Sequence, residues 1–119
     1  MEIQESKRSD SYSIQFNIEE AGAIVGWAFL IIIKNDRHEE PYALLENVYV
    51  EREYRGKGFG KALIQRVMEK AKELGCYKMI TQSRYGKDEV HALYMKFGFR
   101  DHGKNFRMDF VDSELKQSD

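Results

Sequence analysis

The chain has 119 residues, 42% hydrophobic and 13% aromatic, which provides for one hydrophobic core and not two. Nineteen basic against twenty acidic residues leave a net charge of −1, without the basic excess of a non-specific nucleic-acid or anionic-membrane binder. A single cysteine, Cys76, excludes an intrachain disulfide and a Cys-rich zinc site. The charged start, Met1 to Arg8, does not read as a secretory leader, and the apolar run Ile24 to Ile33 is too short to span a bilayer. These features lead us to expect a soluble, cytoplasmic protein with neither a membrane nor a nucleic acid as partner.

Residues 1–10 are polar and read as a frayed segment ahead of a single domain over 11–111, with a polar tail at 112–119. Ser11 to Ile18 alternates, with Tyr12, Ile14, Phe16 and Ile18 on one face, and predicts a half-buried strand. Glu19 to Gly22 reads as a turn. Ile24 to Ile33 is apolar on both faces, as a central strand is, with Trp27 and Phe29 expected in the core. Lys34 to Pro41 is charged and holds the only proline, which predicts a hairpin loop. Tyr42 to Val50 is a third strand, interrupted in its apolar character at Glu46 and Asn47.

The period then changes from two to 3.6. Phe59, Ala62, Leu63, Val67, Ala71 and Leu74 form a helical stripe that Gly75 ends. Tyr77 to Ser83 predicts a strand. Asp88 is the expected cap of a second helix carrying Val90, Leu93, Tyr94 and Phe97 inward, and Gly98 ends it. Phe99 to Val111, with a turn at Gly103-Lys104-Asn105, predicts a closing hairpin. The expected class is α/β (α+β): three strands, a helix, a strand, a helix and two strands in one mixed sheet.

Arg55-Gly56-Lys57-Gly58-Phe59-Gly60 lies between a predicted strand and a helix, where backbone N–H groups and the helix dipole can hold an anion. Arg55, Lys57 and Lys61 surround it with positive charge. The spacing excludes a Walker A loop, because Ala62 follows Gly60-Lys61 where Ser or Thr is required. It also excludes the Gly-x-Gly-x-x-Gly dinucleotide fingerprint.

The turn resembles the Arg/Gln-x-x-Gly-x-Gly/Ala pyrophosphate loop of the GNAT superfamily of N-acetyltransferases. The resemblance runs from Glu46 to Gly60 in one piece, returns at Ala92-Leu93-Tyr94-Met95-Lys96-Phe97-Gly98-Phe99, and covers roughly Tyr12 to Phe110. Leu45-Glu46-Asn47 is most similar to the diamine and polyamine acetyltransferases. The resemblance implies an acyl-CoA N-acyltransferase (GNAT) fold with a mixed, splayed sheet and helices on both faces, here without the family's opening strand and two helices. It also implies acetyl-CoA as co-substrate, no metal, and transfer of the acetyl group to a primary amine by direct attack in a ternary complex. Two alternatives stand beside this reading, a protein or peptide N-acetyltransferase and a non-catalytic acyl-CoA-binding module.

Carried over position by position, Val48, Tyr49 and Val50 would meet the pantetheine arm through their backbone. Gly56, Lys57, Gly58, Phe59, Gly60 and Lys61 would receive the pyrophosphate, with Arg55 opening the loop. The N–H of Val48 would stabilise the oxyanion. Glu46, expected on one strand face with Tyr42, Leu44, Val48 and Val50, is the implied general base, activated by burial that raises its pKa. Tyr94 is the implied general acid, able to protonate the departing thiolate because a phenol ordinarily titrates near pH 10 and a thiol near 8.5. Lys87 stands where the family often has an asparagine on the cofactor arm, and the resemblance would let it reach a phosphate instead. The absence of the opening helices implies an open acceptor site, or one completed by a partner chain in a homodimer. His38, His91 and His102 show no metal-ligand spacing, and Cys76 reads as a buried, inert thiol.

Overall fold

The computed structural model describes residues 1–111, which fall into two units, one from Met1 to Thr81 and one from Gln82 onward. The predicted tail at 112–119 lies outside the described residues. Strand β1 (Tyr12–Glu20), β2 (Ala23–Ile33), β3 (Tyr42–Val50), helix α1 (Phe59–Glu73) and β4 (Met79–Thr81) belong to the first unit, and α2 (Asp88–Phe97) to the second.

The sheet has the order β1-β2-β3-β4, antiparallel across the first three strands and parallel between β3 and β4. β1 runs two residues further than its alternation indicates, because Ala21 and Gly22 alone make the turn to β2. Both have positive φ, +52° and +81°, the combination that matches the twist of two paired strands. Residues 1–11 form no regular structure, but Arg8, paired with Asp10 at 2.6 Å, ties the segment to the β2–β3 loop by a second ion pair to Asp36, also at 2.6 Å.

The core lies between the sheet and α1. Val25, Ala28, Leu30 and Ile32 of β2 and Ala43 and Leu45 of β3 are buried against Leu63, Ile64, Val67 and Ala71 of α1. Ile64 takes the place on this stripe that the sequence pattern assigns to Ala62, which is exposed. Helix α1 also reaches β1, where Arg66 lies 5.9 Å from the Phe16 ring centre, so Ile14, Phe16 and Ile18 are half-buried. An open groove of about 300 Å³ remains there, lined by Phe16, Ile18, Leu63 and Arg66 among others. Trp27 and Phe29 are not core residues. They alternate with Ala28 and Leu30 and stand half-buried on the face away from α1.

The helix ends follow the sequence. Gly75 N–H reaches Lys72 O and Cys76 N–H reaches Ala71 O, the double bond of a Schellman cap, with Gly75 at φ +78°. Gly98 and Phe99 repeat it on Met95 and Tyr94 at the end of α2. At its start, α2 departs from expectation. Lys87 holds the cap position, Asp88 is the first helical residue, and no side chain caps the helix. Within α2, Leu93, Tyr94 and Phe97 are half-buried while Val90 is exposed.

Two strand expectations are corrected. β4 is three residues long rather than the seven of Tyr77 to Ser83, because it pairs only with Ala43–Leu45. Phe99 to Val111 forms no hairpin. Its alternation is strand-like, but it finds no ladder partner among the described residues, and Phe106, Met108 and Phe110 are exposed. Periodicity selects a face; only a neighbouring strand supplies the hydrogen bonds.

Leu30 is fully buried, between Ile14 and Leu45 in register and beneath α1. We expect Leu30→Ala to lower stability by about 3 kcal/mol, as large-to-small changes in filled cores do. A urea midpoint consistent with a loss below about 1 kcal/mol would place the core elsewhere.

Candidate active site

The site is built where β3 loses its neighbour. Parallel pairing with β4 stops at Leu45 and Thr81, whose Oγ1 donates to Leu45 O at 3.1 Å, and β3 runs on to Val50. Within that stretch the pairing with β2 also slips. Glu46 faces Phe29 and Tyr49 faces Trp27, so Asn47 and Val48 together oppose Ala28 alone. Asn47 has φ +52°, the left-handed conformation that asparagine tolerates better than most residues.

The bulge reverses the alternation of β3. Ahead of it, Ala43 and Leu45 face α1; beyond it, Val50 does, its Cγ2 lying where side chains on Gly26 and Gly60 would reach it. Gly26 is required for this approach. A Cβ there would come within 3.3 Å of Tyr49 O and 3.6 Å of Leu63 Cδ1. Glu46 therefore does not share a face with Val50, as simple alternation implies. Its neighbours are Tyr42, Leu44, Phe29 and, beyond the bulge, Tyr49. Glu46 is half-buried rather than enclosed, and its carboxylate has no hydrogen-bond or ionic partner among the described residues.

Backbone direction follows from the same geometry. Glu51 N–H donates to Val25 O on β2 at 2.8 Å, so Val50 turns its backbone groups the opposite way, towards the free edge. Val48, two residues earlier, turns the same way.

A short 3₁₀ turn, Arg52–Tyr54, leads into the glycine loop. Gly56 and Gly58 have φ of +78° and +86°, and Gly58 is the N-cap of α1. No side chain caps this helix and its first turn holds no acidic residue. The N–H groups there are therefore left without a side-chain acceptor, beside Lys57 and Lys61. Arg55 is fixed across the loop. Its Nε donates to Val50 O at 2.7 Å and its guanidinium lies 5.2 Å from the Tyr49 ring centre. Lys57 lies 5.3 Å from the Tyr54 ring, which stacks in turn on Phe59 at 6.0 Å.

Glu46, Val48, Tyr49, Val50, Arg55, Gly56, Lys57, Gly58, Phe59, Gly60 and Lys61 are thus brought together on one strand, loop and helix start. Lys87 and Tyr94 lie in the second unit. There Lys87 is exposed and Tyr94 is half-buried, its ring 5.4 Å from that of Phe99. Cys76 is half-buried rather than buried, and burial pushes its thiol upward. His38 is engaged elsewhere, stacked on Tyr77 at 3.9 Å with Nδ1 2.7 Å from Glu40. Sequence reasoning missed Asn47 and Trp27. An asparagine inside a strand pattern was the available signal for the first; the second emerges only from cross-strand register.

Among the described residues, the stretch of β3 beyond Leu45 has no partner on its parallel edge and runs into an uncapped helix start flanked by Lys57 and Lys61. The chain belongs to the acetyltransferase (GNAT) family, whose model matches residues 2–99, and its sheet and helix arrangement is that family's fold. A glucosamine 6-phosphate N-acetyltransferase of Trypanosoma brucei brucei is 40% identical over 89 residues, covering 74% of this chain and 58% of the relative. An aminoglycoside N(6')-acetyltransferase of Stenotrophomonas maltophilia is 30% identical over 67 residues, covering 56% of this chain and 44% of the relative. The crystal structure of a Trypanosoma brucei acetyltransferase superposes with a TM-score of 0.71 at 37% identity, over 84% of this chain and 69% of the other. The chain thus spans little more than half, or less, of the two curated relatives.

Proposed function

We propose that this chain is an acetyl-CoA-dependent N-acetyltransferase acting on the primary amine of a small molecule, of amino-sugar type. The observation that carries this reading is the bulge at Asn47, which leaves Val48 and Val50 with backbone groups on a free edge leading straight into the glycine turn. Acetyl-CoA fits that arrangement, with its arm along β3 and its pyrophosphate at the first turn of α1.

In the proposed reaction the amine nitrogen attacks the thioester carbonyl carbon, and the carbon–sulfur bond breaks as the tetrahedral intermediate collapses. Glu46 takes the proton from the incoming ammonium, directly or through water. The N–H of Val48 stabilises the oxyanion, and Tyr94 protonates the departing thiolate. The half-buried position of Glu46 supports its role, since an acceptor amine can reach it. Lys87 is proposed as a further phosphate contact.

The amino-sugar acceptor rests on the two relatives and on a property of this face. Phe29 lies across from Glu46 and is half-buried. Such a ring packs well against the C–H face of a sugar. A diamine or polyamine acceptor is the other reading that Leu45-Glu46-Asn47 favours.

Release of CoA, followed with glucosamine 6-phosphate, an aminoglycoside, spermidine and an amine-bearing peptide, tests the proposal. Turnover is expected with the amino sugars. Turnover with the peptide alone would make this a protein acetyltransferase, and CoA binding without any turnover a binding module. Light scattering on the same preparation is expected to give twice the chain mass.

A further inference from the structure

We propose that Tyr49 and Trp27 are positioning residues for Arg55, an aromatic stack that holds the guanidinium turned into the phosphate-binding turn. The proposal rests on the acetyl-CoA reading above and assigns these side chains a role separate from the backbone of β3. Trp27 and Tyr49 are direct cross-strand partners, and their rings stack at 4.9 Å with 28° between planes. Arg55 continues the stack, its guanidinium carbon 5.2 Å from the Tyr49 ring centre. The Nε–H edge of the same group is held by Val50 O at 2.7 Å.

One restraint acts on the flat face of the guanidinium and the other on its inner edge. Together they leave the two terminal nitrogens as donors, and no carboxylate pairs with them among the described residues, although Glu51 and Glu53 are close in sequence. An arginine samples many rotamers when free, and immobilising it on binding weakens affinity. Here the ordering precedes the ligand. The planar fork then presents two N–H groups to a phosphate in fixed geometry.

The stack depends on the bulge. With regular alternation Tyr49 would share a face with Leu45 and point towards α1. The extra residue at Asn47 turns it onto the face of Trp27 instead. One irregularity therefore frees the backbone edge of β3 and orders the arginine that follows it.

The test is a double-mutant cycle on CoA binding and acetyl-CoA kinetics. Arg55→Ala is expected to raise the Kd for CoA by about 10- to 100-fold, the effect of a lost charge-assisted contact to phosphate. Tyr49→Leu is expected to raise it about three- to tenfold, with Trp27→Leu in the same direction, and to raise KM for acetyl-CoA by the same factor. Tyr49→Phe keeps the ring face and should bind as wild type. In the Arg55→Ala background, Tyr49→Leu should cost nothing further, since it acts through the arginine. Multiplying losses, or a Tyr49→Phe variant as weak as Tyr49→Leu, would overturn the proposal.

A readout without ligand separates this inference from the acetyl-CoA reading. The Arg55 Nε–H resonance of the free protein should be dispersed and slowly exchanging in wild type and Tyr49→Phe, and should collapse to the solvent position in Tyr49→Leu. A held Arg55 in a protein that does not bind CoA rejects the cofactor reading and keeps the stack. An Arg55 resonance indifferent to Tyr49 rejects the stack whatever the protein binds.

Discussion

Gly58→Val is expected to abolish CoA binding, by at least about 100-fold in Kd, while the chain still folds. Gly58 caps α1 at φ +86°, where a β-branched residue is strained by roughly 1–2 kcal/mol. Nothing lies within 4 Å of the position a Cβ would take, so the substitution meets no packed neighbour and the core beneath α1 is untouched. The new side chain stands at the cap of α1, next to the turn where the pyrophosphate is proposed to sit. Gly75→Val is the matched control. It lies at the other end of the same helix, at φ +78° and likewise with open space around it, so it imposes similar backbone strain with no anion site nearby. Calorimetric titration of both variants, with circular dichroism to establish folding, decides the matter. Wild-type affinity in a folded Gly58→Val protein would remove the pyrophosphate from this turn.

Tyr94→Phe is expected to lower turnover by about 10²- to 10⁴-fold, the range for a lost general acid, with CoA affinity little changed. The structure makes this substitution selective. Tyr94 is half-buried on α2, its ring meets that of Phe99 at 5.4 Å, and its hydroxyl has no hydrogen-bond partner among the described residues. Phenylalanine keeps the ring contact and deletes only the group in question. A tyrosine present for packing would tolerate the change, and a rate within about twofold of wild type would assign thiolate protonation to water. A fall in kcat with KM for acetyl-CoA unchanged is the pattern of a group acting in the transition state.

Much of this molecule was legible in the sequence because the signals concerned are local. The alternation of Tyr12 to Ile18, the doubly apolar run through Leu30 and the change of period at Phe59 each record which side of an element meets the core. Gly75 and Gly98 mark helix ends because only their own φ matters there, and the glycine turn was readable for the same reason. Lys87 rather than Asp88 at the start of α2 shows how little separates neighbouring cap positions when no side chain makes the capping bond.

Tertiary structure alone decided the rest. The predicted face of Glu46, Val48 and Val50 rested on unbroken alternation, and one inserted residue at Asn47 reversed it. Trp27 and Tyr49, twenty-two positions apart by number (49 − 27), meet because β2 and β3 pair in one register, and no local pattern encodes that register. Phe99 to Val111 carries a strand's alternation without a strand's partner, and β4 is only as long as the stretch of β3 that pairs with it. The physical reason is common to all three: hydrophobic periodicity is written along the chain, whereas a ladder of backbone hydrogen bonds exists only between two segments that folding has brought side by side.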